Sequence, residues 1–293
     1  MIHLPVEPIT PRFGARIPID RHTLLQPGVP EACLSLLDRY GVLVFPKIGV
    51  SDREQAQFSE RLGVRVGSKF ATPGASESDD LGIYPVTLDP ERAKFVDYVK
   101  SSEQWHMDGT TYRVPPKATM LRCVVPPNEG GDTGFADLFS AFADLPAERK
   151  EALMPLRVVH SAATANLRAF PNPSVYDLKR WLDNGPPTEQ PLVWRQADGR
   201  CSLVIGSTAD HIVGMDLEAG RALLAELLEW CTQERYLLRH RWQEGDLVVW
   251  NNPGTLHRAY PYRADSGRLM HRTTVMGVEA FDADPVQAEE VEA

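Results

Sequence analysis

Short apolar runs interrupted by turn residues limit the fold of this chain more than any other feature. Such runs predict strands at residues 41–46, 117–125, 135–137, 192–194, 202–205, 236–242, 247–250 and 269–276. Helices are predicted at residues 29–40, 51–63, 146–156 and 217–231. Many short strands without regular strand–helix alternation predict a mainly β fold with flanking helices, as in an antiparallel sandwich or jelly roll.

The organisation of the chain is predicted to be simple. All 293 residues are expected to form a single domain, 1–293. Residues 64–104 are polar and rich in proline and glycine, and a long loop of this kind is often an active-site lid. Residues 282–293 form an acidic tail that is expected to fray. No glycine-rich nucleotide-binding motif occurs.

Charge and cysteine usage limit the partners. The net charge of -9 argues against a nucleic-acid or anionic-membrane partner, because both require a basic face. No apolar run is long enough to span a bilayer, and the first residues lack a secretory signal. The scattered cysteines are typical of free thiols in a reducing compartment: Cys33, Cys123, Cys201 and Cys231. We therefore expect a cytoplasmic protein.

A histidine and an aspartate two residues apart, His106 and Asp108, form the first candidate site. On a strand, side chains at this spacing point to the same side, so both could reach one metal ion. Taken alone, the pair is a weak signal. A surface histidine hydrogen-bonded to a nearby aspartate would look the same.

A second histidine, His257, follows the buried strand predicted at residues 247–250. Two histidines and one carboxylate form the facial triad of non-haem Fe(II) oxygenases. Three protein ligands suit this chemistry because iron must keep positions free for O₂ and for a bidentate co-substrate. His257 alone would more often be structural, and its pairing with His106 and Asp108 favours the metal site.

Two arginines, Arg268 and Arg272, lie on one face of the last predicted strand, together with Met270. A guanidinium directed into an apolar interior is costly unless it meets an anion. A dicarboxylate co-substrate would supply that anion, and the planar guanidinium suits a carboxylate well. The alternative is that both arginines are exposed on the surface.

Together, these motifs resemble the TauD/TfdA family of 2-oxoglutarate-dependent dioxygenases from about residue 41 to about residue 277. The matching segments are Trp105-His106-x-Asp108, Gly130-Gly131-Asp132-Thr133, Trp250-x-Asn252, His257-Arg258-Ala259 and Arg268-x-x-His271-Arg272. The resemblance implies a double-stranded β-helix (jelly roll). It also implies that the iron ligands are His106, Asp108 and His257.

The resemblance further implies that Thr133 and Arg268 hold the distal carboxylate of 2-oxoglutarate. Arg272 would lie by the iron and meet the acid group of the primary substrate. Alternatively, Arg272 pairs with the C1 carboxylate of 2-oxoglutarate or with a neighbouring acidic residue. Three segments depart from the family pattern: Gly109-Thr110-Thr111-Tyr112, Gln190-Pro191 and Trp250-Asn251-Asn252-Pro253. We therefore do not assign taurine or a herbicide to this chain as its substrate.

The expected function is that of an enzyme. With Fe(II), 2-oxoglutarate and O₂, it would hydroxylate a small acid-bearing substrate, with cleavage or desaturation as further outcomes, while 2-oxoglutarate is decarboxylated to succinate and CO₂. A homo-oligomer is expected from the resemblance. Two alternatives stay open: a jelly-roll metalloenzyme that does not use 2-oxoglutarate, and an inactive family member that binds a small molecule.

Overall fold

A seven-stranded sheet runs through the structure, a computed structural model that describes residues 2–66, 81–93 and 95–282. In spatial order its strands are β1 (Glu7–Pro8), β2 (Ala15–Arg16), β3 (Val42–Phe45), β13 (Leu247–Asn251), β5 (Ala118–Val125), β15 (Leu269–Val275) and β4 (Tyr84–Val86). Neighbours are antiparallel except β2 and β3. Every residue of β3 and β13 is buried, as their continuous apolar sequences require.

A second, three-stranded antiparallel sheet faces the first. It contains β12 (Leu237–His240), β6 (Thr133–Asp137) and β14 (Thr255–Ala259). Phe135 of β6 packs against Trp250 of β13, with 5.5 Å between the ring centroids. Leu121, Leu238 and Met270 belong to the same buried cluster. The two sheets therefore share one apolar layer, which agrees with the predicted mainly β fold.

Two smaller sheets extend the β structure. One contains β11 (Ala209–Ile212), β7 (Arg157–His160) and β8 (Thr188–Pro191). The other is an antiparallel pair of β9 (Val193–Arg195) and β10 (Cys201–Leu203), which confirms the predicted hairpin.

The helices cover the outside of the sheets. They are α1 (Arg21–Leu24), α2 (Val29–Tyr40), α3 (Asp52–Leu62), α4 (Val96–Ser101), α5 (Leu138–Ala143), α6 (Ala147–Leu153), α7 (Ala162–Ala169), α8 (Val175–Leu182) and α9 (Leu217–Cys231). The capping box predicted at Ser51 and Glu54 opens α3. On α9, Leu224 and Leu227 are buried, as its periodicity predicts.

The segment predicted as a long loop, residues 64–104, is partly ordered into elements. Met270, His271 and Arg272 of β15 pair with β4, and α4 follows a short turn. Residues 67–80 and 94, which belong to the predicted lid, lie outside the described residues.

The predicted tail begins at Asp282, which forms an ion pair with Arg157 at 3.0 Å. Residues 283–293 lie outside the described residues. Within the described ranges, no helix combines the length and apolar character that a membrane span requires.

Candidate metal centre and substrate cavity

Two backbone hydrogen bonds join the segments that carry the histidines. His106 N donates to His257 O at 3.0 Å, and His257 N donates to His106 O at 2.9 Å. The prediction that His106 and Asp108 lie on a strand is wrong, because this is an isolated bridge and the chain turns at Gly109, where φ is +73°. The side chains meet nonetheless. Asp108 Oδ1 lies 3.9 Å from His106 Nε2 and 3.7 Å from His257 Nε2.

Both imidazoles are prepared to act as ligands. His106 Nδ1 lies 2.8 Å from the carbonyl oxygen of Gln104, which only accepts, so Nδ1 carries the proton and Nε2 is free. The ring of His257 packs against Trp250 at 4.7 Å. Burial lowers the pKa of His106, and burial followed by the nearby His106 lowers the pKa of His257 well below its ordinary value. Both rings are therefore neutral at neutral pH.

The two oxygens of Asp108 have different surroundings. Oδ2 accepts hydrogen bonds from Thr119 Oγ1 at 2.8 Å and from Arg272 Nη2 at 2.7 Å. Oδ1 faces the imidazoles. Burial alone would raise the pKa of Asp108, but the charge of Arg272, with smaller contributions from the nearby imidazoles and the hydrogen bond from Thr119, outweighs burial and holds this pKa well below its ordinary value. A carboxylate with one free oxygen results.

Asn252 holds the backbone of Asp108 in place. Its Oδ1 accepts from Asp108 N at 2.9 Å, and its Nδ2 donates to Asp108 O at 2.9 Å and to Pro116 O at 3.0 Å. Asn252 is completely buried. The sequence motif contained Asn252 but gave it no role, and nothing in the sequence pointed to Thr119.

Arg272 reaches the metal centre through Asp108. Besides that ion pair, its Nη1 donates to the hydroxyl of Tyr98. The sequence left three possible partners for Arg272: the substrate, 2-oxoglutarate or a neighbouring acidic residue. In the structure, Arg272 pairs with an acidic residue, Asp108. Arg272 also lines the adjoining cavity, and its Nε has no hydrogen-bond partner among the described residues.

Arg268 lies elsewhere, just before β15, and is 2 % exposed. Its Nε donates to Gly131 O at 3.1 Å, and its guanidinium lies 4.6 Å from the ring centroid of Tyr262. No carboxylate within the described part of the chain forms an ion pair with Arg268. A buried cation without an ion-pair partner is costly, and an anion bound beside it would offset that cost.

Thr133 lies two residues after Gly131 at the start of β6, and it is buried. Its Oγ1 accepts from Trp242 Nε1 at 2.9 Å. Since an indole nitrogen only donates, the proton of the threonine hydroxyl is left for another acceptor. No hydrogen bond between described atoms joins Thr133 directly to Arg268. The contribution of Trp242 had no signal in the sequence.

A cavity of about 920 Å³ opens beside His106 and Asp108. Its wall combines aromatic residues with cationic and acidic ones: Phe95, Tyr98, Tyr112, Tyr176, Trp181, Arg113, Lys179, Arg180, Arg272, Asp97, Asp108 and Asp183. Part of this wall comes from residues 95–102, inside the segment predicted as a lid. An apolar cavity with a cation near its metal end suits an organic anion.

Two departures from the family pattern have structural roles near this cavity. Gln190 is buried and its Nε2 donates to the carbonyls of Thr110 and Tyr112 at 3.1 and 3.0 Å, which anchors the loop after Asp108. Asn251 accepts from Gly254 N at 3.1 Å and so caps the short turn before β14.

Comparisons with known proteins agree with this geometry. The family described as "Taurine catabolism dioxygenase TauD, TfdA family" matches residues 5–274. The chain is 33% identical over 281 residues to an alpha-ketoglutarate-dependent 2,4-dichlorophenoxyacetate dioxygenase of Cupriavidus pinatubonensis, covering 92% of this chain and 96% of the relative. It is 30% identical to an alpha-ketoglutarate-dependent sulfate ester dioxygenase of Pseudomonas putida, with 94% and 90% covered.

Among solved structures, the chain resembles AAD-2 in complex with Mn(II) and N-oxalylglycine. The TM-score is 0.79 with 26% identity, and the match covers 96% of this chain and 100% of the other.

Proposed function

The chain belongs to the TauD/TfdA family, and on this premise we propose that it oxidises a small organic acid whose acid group binds at Arg272. It is an Fe(II)- and 2-oxoglutarate-dependent dioxygenase, as are its relatives. The observation that carries the substrate proposal is the position of Arg272. This cation contacts Asp108 at the metal centre and also lines the cavity.

In this proposal, His106 Nε2, Asp108 Oδ1 and His257 Nε2 hold Fe(II). The residues fit the ion, because two neutral imidazoles and one carboxylate have ligand atoms within 4.8 Å of one another. Bound Fe(II) supplies O₂ activation coupled to decarboxylation of 2-oxoglutarate to succinate and CO₂. The chain contributes the orientation of the ligands. Gln104 fixes the tautomer of His106, and Asn252 fixes the backbone of Asp108.

Arg268 and Thr133 would bind the distal carboxylate of 2-oxoglutarate. This assignment is supported by the buried guanidinium of Arg268, which has no ion-pair partner among the described residues, and by the hydroxyl proton that Thr133 has available. A guanidinium and a hydroxyl donating to one carboxylate form a strong, charge-assisted contact.

The aromatic wall of the cavity favours a substrate with an aromatic or alkyl body next to its acid group. The relatives named above act on a phenoxyacetate and on sulfate esters, and both kinds of molecule carry such a group. We propose that the enzyme hydroxylates the carbon next to the acid group or, in a sulfate ester, next to the ester oxygen. Where the hydroxylated product is unstable, it then breaks down with cleavage of the substrate.

We also propose that the two facing sheets are the walls of a double-stranded β-helix and that residues 1–293 form one domain, with residues 64–104 as a lid over the cavity. The four free cysteines suit a reducing, cytoplasmic location. In this proposal the protein acts on a small molecule and has no nucleic-acid or membrane partner. It assembles as a homo-oligomer.

The experiment is a succinate assay with Fe(II), 2-oxoglutarate and three acids: 2,4-dichlorophenoxyacetate, 2-phenoxypropionate and hexyl sulfate. Each acid is paired with its neutral alcohol. Acid-dependent succinate that exceeds the amount formed with the alcohol is expected. Equal succinate with acids and alcohols would contradict the acid-binding role of Arg272, and a lack of succinate with all three acids would contradict the proposed substrate class. A protein that in addition binds no Fe(II) would be an inactive family member.

A further inference from the structure

We propose that Tyr98 is a substrate-binding residue, whose hydroxyl donates to the acid group of the primary substrate alongside Arg272. The inference rests on the proposed function and adds a second determinant of substrate choice. Tyr98 lies on α4, and its side chain lines the cavity.

The directions of the hydrogen bonds around Tyr98 lead to this assignment. A guanidinium has donors and no acceptor, so the Tyr98 oxygen must accept from Arg272 Nη1. The hydroxyl therefore keeps its own proton for another partner. Among the residues that the structure describes, no atom accepts that proton. Because the Tyr98 side chain lines the cavity, we assign this proton to a ligand bound there.

Arg272 has capacity for the same ligand. It makes one contact to Asp108 Oδ2 and one to Tyr98, while its Nε is buried without a partner in the described ranges. A guanidinium has five N–H groups, so further donors are available. Arg272 also contacts Asp108, so an oxyanion bound by both Tyr98 and Arg272 would be separated from Asp108 only by the guanidinium group of Arg272. The carbon attached to that oxyanion is then held near the metal centre.

One ring contact and the contacts of the preceding residue hold Tyr98 in place. Tyr84 packs against it edge to face, with 5.9 Å between centroids and 82° between the ring planes. The preceding residue, Asp97, accepts from Trp181 Nε1 at 3.2 Å and forms an ion pair with Arg180. These contacts join α4 to α8 across the cavity wall. A hydroxyl held in this way loses little conformational freedom when a ligand binds.

The test is Tyr98→Phe, with Tyr84→Phe as the matched control. Both changes remove one phenolic hydroxyl and keep the ring, but Tyr84 is not among the residues that line the cavity. The probe is whichever of the three acids named above the wild type oxidises fastest. We expect Tyr98→Phe to raise the KM for this acid on the order of ten- to a hundred-fold, because the lost hydrogen bond is to a charged group.

Measurements with the neutral alcohol and with 2-oxoglutarate identify the ligand to which the Tyr98 hydroxyl donates. The KM for the alcohol should not change in Tyr98→Phe, so that the preference for acid over alcohol narrows. Affinity for 2-oxoglutarate, from anaerobic titration of the Fe(II) charge-transfer band, should match the wild type. Tyr84→Phe should retain the wild-type preference for the acid.

Three results would overturn the inference. An unchanged KM for the acid in Tyr98→Phe would do so while leaving the proposed function intact. A loss of 2-oxoglutarate affinity with unchanged KM for the acid would assign the hydroxyl to the co-substrate instead. A wild-type enzyme that oxidises none of the three acids would contradict the proposed substrate class, and this inference with it.

Discussion

At the scale of single residues, the site depends on side chains that hold the candidate ligands as much as on the ligands themselves. Thr119 and Arg272 occupy one oxygen of Asp108, while Asn252 bonds its backbone on both sides. Partners of this kind commonly change metal affinity ten- to a hundred-fold when they are removed.

Asn252→Ala should therefore weaken Fe(II) binding about ten- to a hundred-fold, because the backbone of Asp108 loses both of its fixed hydrogen bonds. Metal affinity can be measured anaerobically by quenching of tryptophan fluorescence. The control is Asn251→Ala, since Asn251 is also buried but contacts Gly254 and Asp38 instead of Asp108. Equal metal affinities in the two variants would argue against a positioning role for Asn252.

Arg268→Ala should weaken 2-oxoglutarate binding roughly ten- to a hundred-fold and leave Fe(II) affinity almost unchanged, because a charge-assisted contact to a carboxylate is lost. Titration of the anaerobic charge-transfer band measures this. Arg263→Ala is the control, because Arg263 is exposed and pairs with Asp265 at 2.6 Å. Unchanged co-substrate affinity in Arg268→Ala would mean that the anchor of 2-oxoglutarate is a different residue.

At the scale of elements, the sequence predicted the helices and strands that contain a clear local motif, such as a capping box, an apolar helix face or a continuous apolar run. The capping box at Ser51, the apolar face of α9 and the apolar run of β13 were sufficient. Helices α7 and α8 have eight residues each and were not predicted, because so short a segment depends on tertiary contacts. The strand geometry considered for His106 and Asp108 is only an isolated bridge in the structure, since the turn at Gly109 ends the extended segment.

The loop before β6 brings Gly131 against Arg268, and this contact can be tested. A Cβ at position 131 would lie 2.9 Å from Arg268 Cδ, and φ there is +66°. Gly131→Ala should cost about 1–2 kcal/mol of stability and should also weaken 2-oxoglutarate binding by displacing the guanidinium.

The control for this loop is Gly199→Ala in the turn between β9 and β10. Its φ is +86°, but nothing lies within 4 Å of the added Cβ. A similar loss of stability with normal co-substrate affinity is expected, measured by thermal unfolding and by the charge-transfer titration. If both variants bind 2-oxoglutarate like the wild type, the close approach of Gly131 to Arg268 has no role in binding.

At the scale of the whole molecule, residues distant in sequence form the site, and this limits what the sequence alone can predict. The motifs identified His106, Asp108 and His257, which the structure brings together. Tyr98 and Trp242 were not identified, because a single aromatic residue has no pattern until the fold places it beside Arg272 or Thr133. The pairing of Arg272 with Asp108 was one of several alternatives that only the structure could separate.

Global stability should decline in mild acid because of His160, which is completely buried. Burial lowers its pKa to about 4. The folded protein therefore leaves His160 neutral, while the unfolded chain takes up a proton below about pH 6.5. The stability that comes from keeping His160 neutral is fully present above about pH 6.5. It is lost as the pH falls towards 4, which lowers the free energy of unfolding by roughly 3 kcal/mol.

Urea unfolding of the wild type and His160→Gln between pH 7.5 and pH 4 measures this effect. The variant should start less stable, because the hydrogen bond between His160 and Thr208 is altered, but it should lose less stability on acidification. Parallel curves for the two proteins would show that His160 does not control the acid response.

The ion pair between Arg272 and Asp108 also determines how the protein exists without metal. Because the guanidinium balances the buried carboxylate, the protein without metal does not contain an isolated buried negative charge, which would be costly. Apoprotein can therefore accumulate in folded form, ready to receive iron after synthesis. Activity inside a cell would then follow the local supply of Fe(II).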